Sequence, residues 1–107
     1  MRNKIIESDL KYITNAELNW DIYKNKTVLV SGASGFLPAY MVETLLYLNE
    51  TRQFNIRIIG LVRNLEKARE RFLHYESSKY LQIISQNVCD KIEIDEEIDY
   101  IVHAASL

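Results

Sequence analysis

The stretch that decides the fold is Thr27-Val28-Leu29-Val30-Ser31-Gly32-Ala33-Ser34-Gly35-Phe36-Leu37-Pro38. Its first half is a short, β-branched apolar run, which is typical of a buried strand. Two glycines follow this run, and the residues after them have the apolar spacing of a helix. This order predicts a strand–turn–helix unit whose turn allows a phosphate to approach the backbone closely.

The rest of the chain continues the alternation of strand and helix. Besides the strand at 27–31, the pattern predicts strands at 56–62, 80–84 and 99–103 and helices at 38–49 and 65–75. The strands are continuously apolar, and helices separate them. We therefore expect an α/β fold with a doubly wound parallel sheet of about four strands.

Two parts of the chain differ in their pattern. Residues 1–25 form an N-terminal lead-in segment, in which we expect one or two short helical turns that dock on the domain that follows. Residues 26–107 carry the strands and helices of the predicted sheet.

Composition excludes several functional classes. The 107 residues have a net charge of −2 and no basic stripe, which argues against nucleic acid and anionic membranes as partners. The apolar runs are far shorter than the roughly 20 residues that span a bilayer. The single cysteine, Cys89, cannot form an internal disulfide, so we expect a reducing compartment, the cytoplasm.

The glycine spacing resembles a phosphate-binding fingerprint. Gly32 and Gly35 occupy its first two glycine positions, and Pro38 stands at the third, where we expect Ala39 to take over the helix–strand contact. A ligand phosphate would then lie on the N–H groups of residues 34–37 at the positive end of the helix. The alternative is that the two glycines only turn the chain.

Three segments resemble the extended short-chain dehydrogenase/reductase family, which includes nucleotide-sugar epimerases, dehydratases and decarboxylases. The first is Gly32-Ala33-Ser34-Gly35-Phe36-Leu37 after the apolar strand. The second, Asn87-Val88-Cys89-Asp90, resembles the family's adenine-contacting segment. The third, Asp99-Tyr100-Ile101-Val102-His103-Ala104-Ala105-Ser106, resembles its fourth strand with a His-x-Ala-Ala signature. The resemblance covers residues 26–107.

The resemblance implies the N-terminal part of a Rossmann-like, dinucleotide-binding domain with NAD or NADP as cofactor. Gly32, Gly35, Phe36 and Leu37 would hold the pyrophosphate, together with the amide of Ser34. The resemblance also assigns contacts around the adenine and the nicotinamide: Asn87 and Val88 flank the adenine, and Ala104 and Ala105 line the route to the nicotinamide. Asn87 replaces the usual aspartate, although an amide also bonds an adenine amino group. The alternative for these last four residues is plain core packing.

Arg63 bears on the choice of cofactor. NAD-binding domains usually carry Asp or Glu at the end of the second strand, where it accepts hydrogen bonds from the ribose hydroxyls. The guanidinium of Arg63 cannot accept a hydrogen bond, but it pairs with a 2′-phosphate, which favours NADP. The related sugar-modifying enzymes often use NAD, so both cofactors stay open.

We identify no catalytic residue and no metal site in the chain. The family uses a Tyr-x-x-x-Lys pair beyond the fourth strand. Tyr75 and Lys79 match that spacing, but they precede the third strand, at the adenosine side of the sheet. We interpret them as a helix end and a solvated charge. His103 has the position of the signature histidine and is expected to be structural, and the acidic residues over 93–99 indicate a solvated loop.

The length suggests part of a longer enzyme. Family members are roughly three times longer, so we expect an N-terminal fragment of a nucleotide-sugar epimerase or dehydratase that has no turnover alone. The fourth strand would then lie at an open edge with exposed apolar surface, which favours a homo-oligomer. The alternatives are a fragment of an NADP-dependent carbonyl reductase and a non-catalytic dinucleotide-binding module.

Overall fold

The computed structural model of the protein describes residues 4–16, 19–33, 35–85 and 97–103. These residues form, in chain order, α1 (Lys4–Thr14), a 3-10 turn (Trp20–Tyr23), β1 (Thr27–Ser31), α2 (Phe36–Arg52), β2 (Arg57–Val62), α3 (Leu65–Arg71), a second 3-10 turn (Leu73–Tyr75), β3 (Leu81–Ser85) and β4 (Tyr100–His103). Each predicted strand is present, with its start displaced by at most one residue.

The four strands form one parallel sheet in the order β3-β2-β1-β4. β1 pairs with β2 on one side and with β4 on the other, so that Val30 lies level with Gly60 and with Val102. β3 continues the sheet beyond β2. The predicted fold class is confirmed: the protein is α/β, with a parallel sheet that agrees with a partial Rossmann-like fold.

The two faces of the sheet have separate apolar clusters. On one face, Val28, Val30 and Ile58 pack with residues of α2 and α3 in a single buried cluster. That shared cluster places both helices on the same side of the sheet, as right-handed crossovers in one direction require. On the other face the smaller cluster consists of Leu29, Ile59 and Leu61, with Ile84 and Ile98 packed against it.

The lead-in segment contains more helix than the sequence predicted. Instead of one or two short turns, α1 is an 11-residue helix, and it packs along α2 through the fully buried Leu10. Two hydrogen bonds connect α1 to α2: the Tyr40 hydroxyl donates to Asp9 in the middle of α1 over 3.0 Å, and the Arg52 guanidinium donates to the carbonyl of Thr14, its last residue, over 2.8 Å. The prediction that this segment docks on the following domain is confirmed.

α2 is longer than predicted, beginning at Phe36 and ending at Arg52. The earlier start is compatible with Pro38 because the third helical position needs no N–H donor. The sequence analysis predicted the end of α2 at residue 49, too early, because the residue in the left-handed conformation (φ 55°) that closes the helix is Gln53 and not a glycine.

Within the described residues, no helix combines the length and the apolar character needed to cross a membrane.

α3 is shorter than predicted. Asn64 caps it as expected, with its side-chain oxygen accepting from the Lys67 N–H over 3.0 Å. The helix ends at Arg71 rather than continuing to residue 75, and a 3-10 turn replaces its last part. The change of geometry buries Phe72 and Tyr75 in the cluster shared with α2, so packing overrides the helical pattern.

Candidate functional site

The strand order reverses direction at β1. From β1 the chain crosses to β2 and β3 on one side, whereas β4 lies on the other side of β1. In open parallel sheets, ligands bind outside the carboxyl ends of the strands at such a reversal. The residue after β1 at this position is Gly32, so the sequence-predicted turn and the topological crevice coincide.

Backbone bonds shape the loop after β1. We call Gly32, Ala33 and Gly35 the glycine turn. Gly32 has φ 62°, a conformation that side chains disfavour, and its carbonyl accepts from the Gly35 N–H over 2.9 Å. The Ala33 N–H donates to the Leu61 carbonyl over 3.0 Å, which extends the β1–β2 pairing into the turn. A Cβ at Gly35 would lie 3.2 Å from the Gly32 oxygen. The conformation at Gly32 and the close contact at Gly35 therefore explain why glycine occupies both positions.

The start of α2 leaves backbone donors without intrahelical partners. Gly35 is the N-cap in an extended conformation and has no side chain with which to cap the helix. The N–H groups of Phe36 and Leu37 lie in the first turn, where no helical carbonyl reaches them, and Pro38 has no N–H. The positive end of the helix dipole lies at the same point. An anionic ligand suits this arrangement.

The glycine turn is open to the outside. Gly32 and Gly35 are half-buried, and the Leu37 side chain is 74% exposed. β1 and β2 run in the same direction, as the phosphate-binding interpretation requires. The start of α2 therefore has half-buried glycines before it and an exposed apolar side chain, that of Leu37, beside it.

Arg63 lies directly after β2, the neighbour of β1, and its side chain is exposed. The next residue, Asn64, uses its side-chain oxygen to cap α3 through Lys67. That oxygen is therefore engaged where a carboxylate would otherwise accept hydrogen bonds from a ribose. Arg63 and Lys67 are exposed cations at this corner, and the exposed Glu66 lies in the first turn of α3 between them.

β4 lies on the side of β1 opposite to β2. Its last residue, His103, lies level with Ser31, and the Ser31 hydroxyl donates to the Val102 carbonyl over 3.4 Å. β4 lies at an edge of the described sheet, and Ile101 is 66% exposed, as predicted. Whether copies of the chain associate there stays a prediction.

Half of the predicted contact residues lie in the part of the chain that the structure does not describe. Five of them lie outside the described residues: Ser34, Asn87, Val88, Ala104 and Ala105. Their contacts with adenine, pyrophosphate or nicotinamide stay predictions. The described members of the set, Gly32, Gly35, Phe36, Leu37 and Arg63, all lie at the carboxyl edge of the sheet.

The rejected Tyr-x-x-x-Lys match lies at the opposite edge. Tyr75 ends the second 3-10 turn and is buried, whereas Lys79 is exposed with its ammonium 5.2 Å from the Tyr80 ring. Both precede β3 and therefore lie near the amino ends of the strands. The two residues are therefore far from the glycine turn along the strand direction, at the amino edge rather than at the adenosine side that the sequence predicted.

A cleft of about 250 Å³ also lies at the amino edge, between the last turns of α2 and residues 74–80. His74 and Glu50 face each other there, with 3.6 Å between Nε2 and Oε1. Asn49 lines the cleft, but its side-chain amide is hydrogen-bonded to the N–H and the C=O of Ile56. Among the residues that the structure describes, no three His, Cys, Asp or Glu side chains come together as a metal site.

Sequence reasoning missed one residue of this site, Gly60. It lies inside β2, level with Val30, and a Cβ there would come within 3.1 Å of the Ala33 Cβ. An isolated glycine within a strand indicates a close approach of another chain segment, so the signal was present.

Comparisons with protein-family models, curated proteins and solved structures find no match to the chain. The family resemblance of the three segments therefore stays a prediction, and the fold follows from the strand order alone.

Proposed function

We propose that the protein binds a dinucleotide, NAD or NADP, at the carboxyl edge of its sheet. The observation that carries the proposal is the coincidence of three features after β1: the reversal of strand order, the positive φ of Gly32, and the start of α2 at Phe36. Each feature occurs without a ligand in other proteins. Their coincidence at one loop is what dinucleotide-binding domains use to hold a pyrophosphate.

The residues have distinct roles in this proposal. The N–H groups of Phe36 and Leu37 donate to the pyrophosphate, and Gly32 lets the backbone approach it without a side chain in between. The exposed Leu37 side chain covers one apolar surface of the ligand. Arg63 lies where the adenosine ribose would extend from the pyrophosphate, beyond the neighbouring strand β2.

The cofactor preference that we propose is NADP. A guanidinium is a bidentate donor to a phosphate, and Arg63 is exposed at the required corner. Asn64 offers one side-chain oxygen rather than the two of a carboxylate, and this oxygen already accepts from the Lys67 N–H.

A direct titration tests dinucleotide binding. The purified chain is titrated with NADH and with NADPH, and the nicotinamide fluorescence is followed; oxidised NAD and NADP then compete for the site. We expect saturable binding that both competitors reverse, with NADPH the tighter ligand. Absence of saturable binding by either reduced cofactor refutes the proposal for this chain.

The larger proposal is an enzyme of the nucleotide-sugar epimerase or dehydratase type, supported by the resemblance of the three segments. In such chemistry the bound NAD(P) oxidises a sugar carbon, and the hydride later returns or elimination follows. We assign this chain the binding of the dinucleotide. The nucleotide sugar would be the partner of the whole enzyme.

Arg63 also favours a second candidate, an NADP-dependent carbonyl reductase. The gene sequence after the codon for Leu107 separates the possibilities. A Tyr-x-x-x-Lys pair in an open frame supports an enzyme, whereas an open frame without it supports a non-catalytic binding module. Assays of the full gene product with nucleotide sugars and with simple carbonyl compounds then distinguish the two enzymes.

A further inference from the structure

We infer that Gly60 is a positioning residue for the dinucleotide site, because the space left by its missing side chain fixes the position of the glycine turn. The inference rests on the proposed function. Gly60 does not touch the ligand in this scheme; it acts through Ala33.

The contact is close and comes from two sides. An ideal Cβ at Gly60 would lie 3.1 Å from the Ala33 Cβ and 3.1 Å from the Ile83 Cδ1. Ala33 is completely buried in the cluster beneath α2, so its methyl group has little freedom to move outward. Ile83 belongs to the neighbouring strand, and its terminal methyl can rotate away. Ala33 is therefore the neighbour that has to shift.

A shift of Ala33 would reach the ligand site through the backbone. The Ala33 N–H donates to the Leu61 carbonyl, the residue after Gly60, so strand β2 holds the turn both by this bond and by the methyl contact. Gly32 precedes Ala33 directly, and its carbonyl accepts from Gly35, the N-cap of α2. A displacement of a few tenths of an ångström at Ala33 thus changes the direction of the amides that begin α2.

The test exchanges one methyl group between the two positions. Gly60→Ala adds the methyl, and the double variant Gly60→Ala with Ala33→Gly removes its counterpart and restores the space. Ala33→Gly alone measures the added flexibility of the turn. Ile59→Val is the matched control, because Ile59 is fully buried in the same strand but belongs to the cluster on the opposite face.

The readouts are dissociation constants for NADH and NADPH, with circular dichroism and thermal unfolding to monitor the fold. We expect Gly60→Ala to weaken both cofactors by about tenfold, the size of losing one hydrogen bond to a charged group. The double variant should recover most of this loss relative to Ala33→Gly. Ile59→Val should lower the thermal midpoint and leave both dissociation constants unchanged.

Each outcome decides between the two claims. If the unmodified chain binds neither cofactor, the proposed function fails. If it binds and Gly60→Ala binds equally well, the function stands and the role of Gly60 is refuted. If Gly60→Ala does not fold, a double variant that folds and binds supports the role, and one that also fails to fold or to bind overturns it.

Discussion

Two loops at opposite edges of the sheet, one after α2 and one after β1, are closed by different groups. At the amino edge, side chains close the loops: the Asn49 amide pairs with both the N–H and the C=O of Ile56, over 2.7 and 2.9 Å. The Asp99 carboxylate accepts from the Thr27 N–H over 2.8 Å at the start of β1. Asn49 lies seven positions from Ile56 in the chain, whereas Asp99 lies 72 positions from Thr27.

At the carboxyl edge, the described loop after β1 is closed by backbone groups. Ala33 bonds to the Leu61 carbonyl and Gly35 to the Gly32 carbonyl, while the cap of α2 is a glycine with no side chain. The loop after α2 therefore depends on the Asn49 side chain for its stability. The carboxyl edge leaves the amides that begin α2 for a ligand, and variants at the two edges should separate stability from binding.

The largest effect on stability is expected from Asn49→Ala at the amino edge. Ile56 is fully buried, and the variant removes the partners of its N–H and its C=O. We expect the free energy of unfolding to fall by about 2 kcal/mol, since unpaired buried groups are costly. Urea denaturation measures the change. The control Gln82→Ala loses one exposed bond from Arg57 and should change stability by less than about 0.5 kcal/mol.

The dissociation constant for NADPH shows whether Asn49→Ala also affects binding. Asn49→Ala should leave it unchanged wherever the protein is folded. A variant that loses stability and affinity together would show that the two edges are coupled and would contradict the separation.

Gly32→Ala is the corresponding change at the carboxyl edge. Since Gly32 has φ 62°, an alanine should cost about 1 kcal/mol of unfolding free energy and weaken the tighter-bound cofactor by more than about tenfold. Gly35→Ala is the matched comparison, because Gly35 has φ −69° and tolerates a Cβ apart from a 3.2 Å contact with the Gly32 oxygen. Denaturation and cofactor titration should show Gly32→Ala as the more destabilising variant. Equal losses of stability would refute the role of positive φ.

Arg63→Ala should act on binding alone. The exposed side chain contributes little to the fold, so unfolding free energy should change by less than about 0.5 kcal/mol. NADPH should bind about tenfold more weakly while NADH is unaffected, because only NADPH has a 2′-phosphate. Lys67→Ala, a nearby exposed cation, controls for general electrostatics. Equal losses for both cofactors would remove the argument for 2′-phosphate recognition.

The smallest effect concerns a bond that belongs to neither edge. The hydrogen bond to Asp9 raises the pKa of the Tyr40 hydroxyl, and burial adds to the increase. Because the folded state favours the neutral phenol, this stabilisation is complete below about pH 10, the ordinary tyrosine pKa, and is lost as pH rises through the folded pKa. Stability curves of the protein and Tyr40→Phe should therefore converge at high pH. Parallel curves over the whole range would contradict the contribution of this bond.

Local patterns predicted much of the fold from residues near one another in sequence. The apolar run at 27–31, the glycines at its end and the cap at Asn64 each express a local requirement: burial on both faces, a turn without side chains, and a partner for the first helical amides. All three are present in the structure. They also located the described half of the candidate site.

Other features were not predicted from the sequence because they depend on residues that are distant in the chain. α1 is helical along its full length because α2 offers it an apolar surface, and α3 stops at Arg71 because Phe72 and Tyr75 turn into the core. Gly60 and Ala33 are 27 positions apart in the sequence and meet only through the pairing of β1 with β2.

The sequence by itself determined the strand–turn–helix unit at residues 27–38 and the parallel alternation around it, since both depend on neighbours a few positions away. Tertiary structure decided the order β3-β2-β1-β4, and with it the edge at which the glycine turn opens. The physical reason is that strand order comes from long-range pairing and burial, which no short stretch of residues encodes.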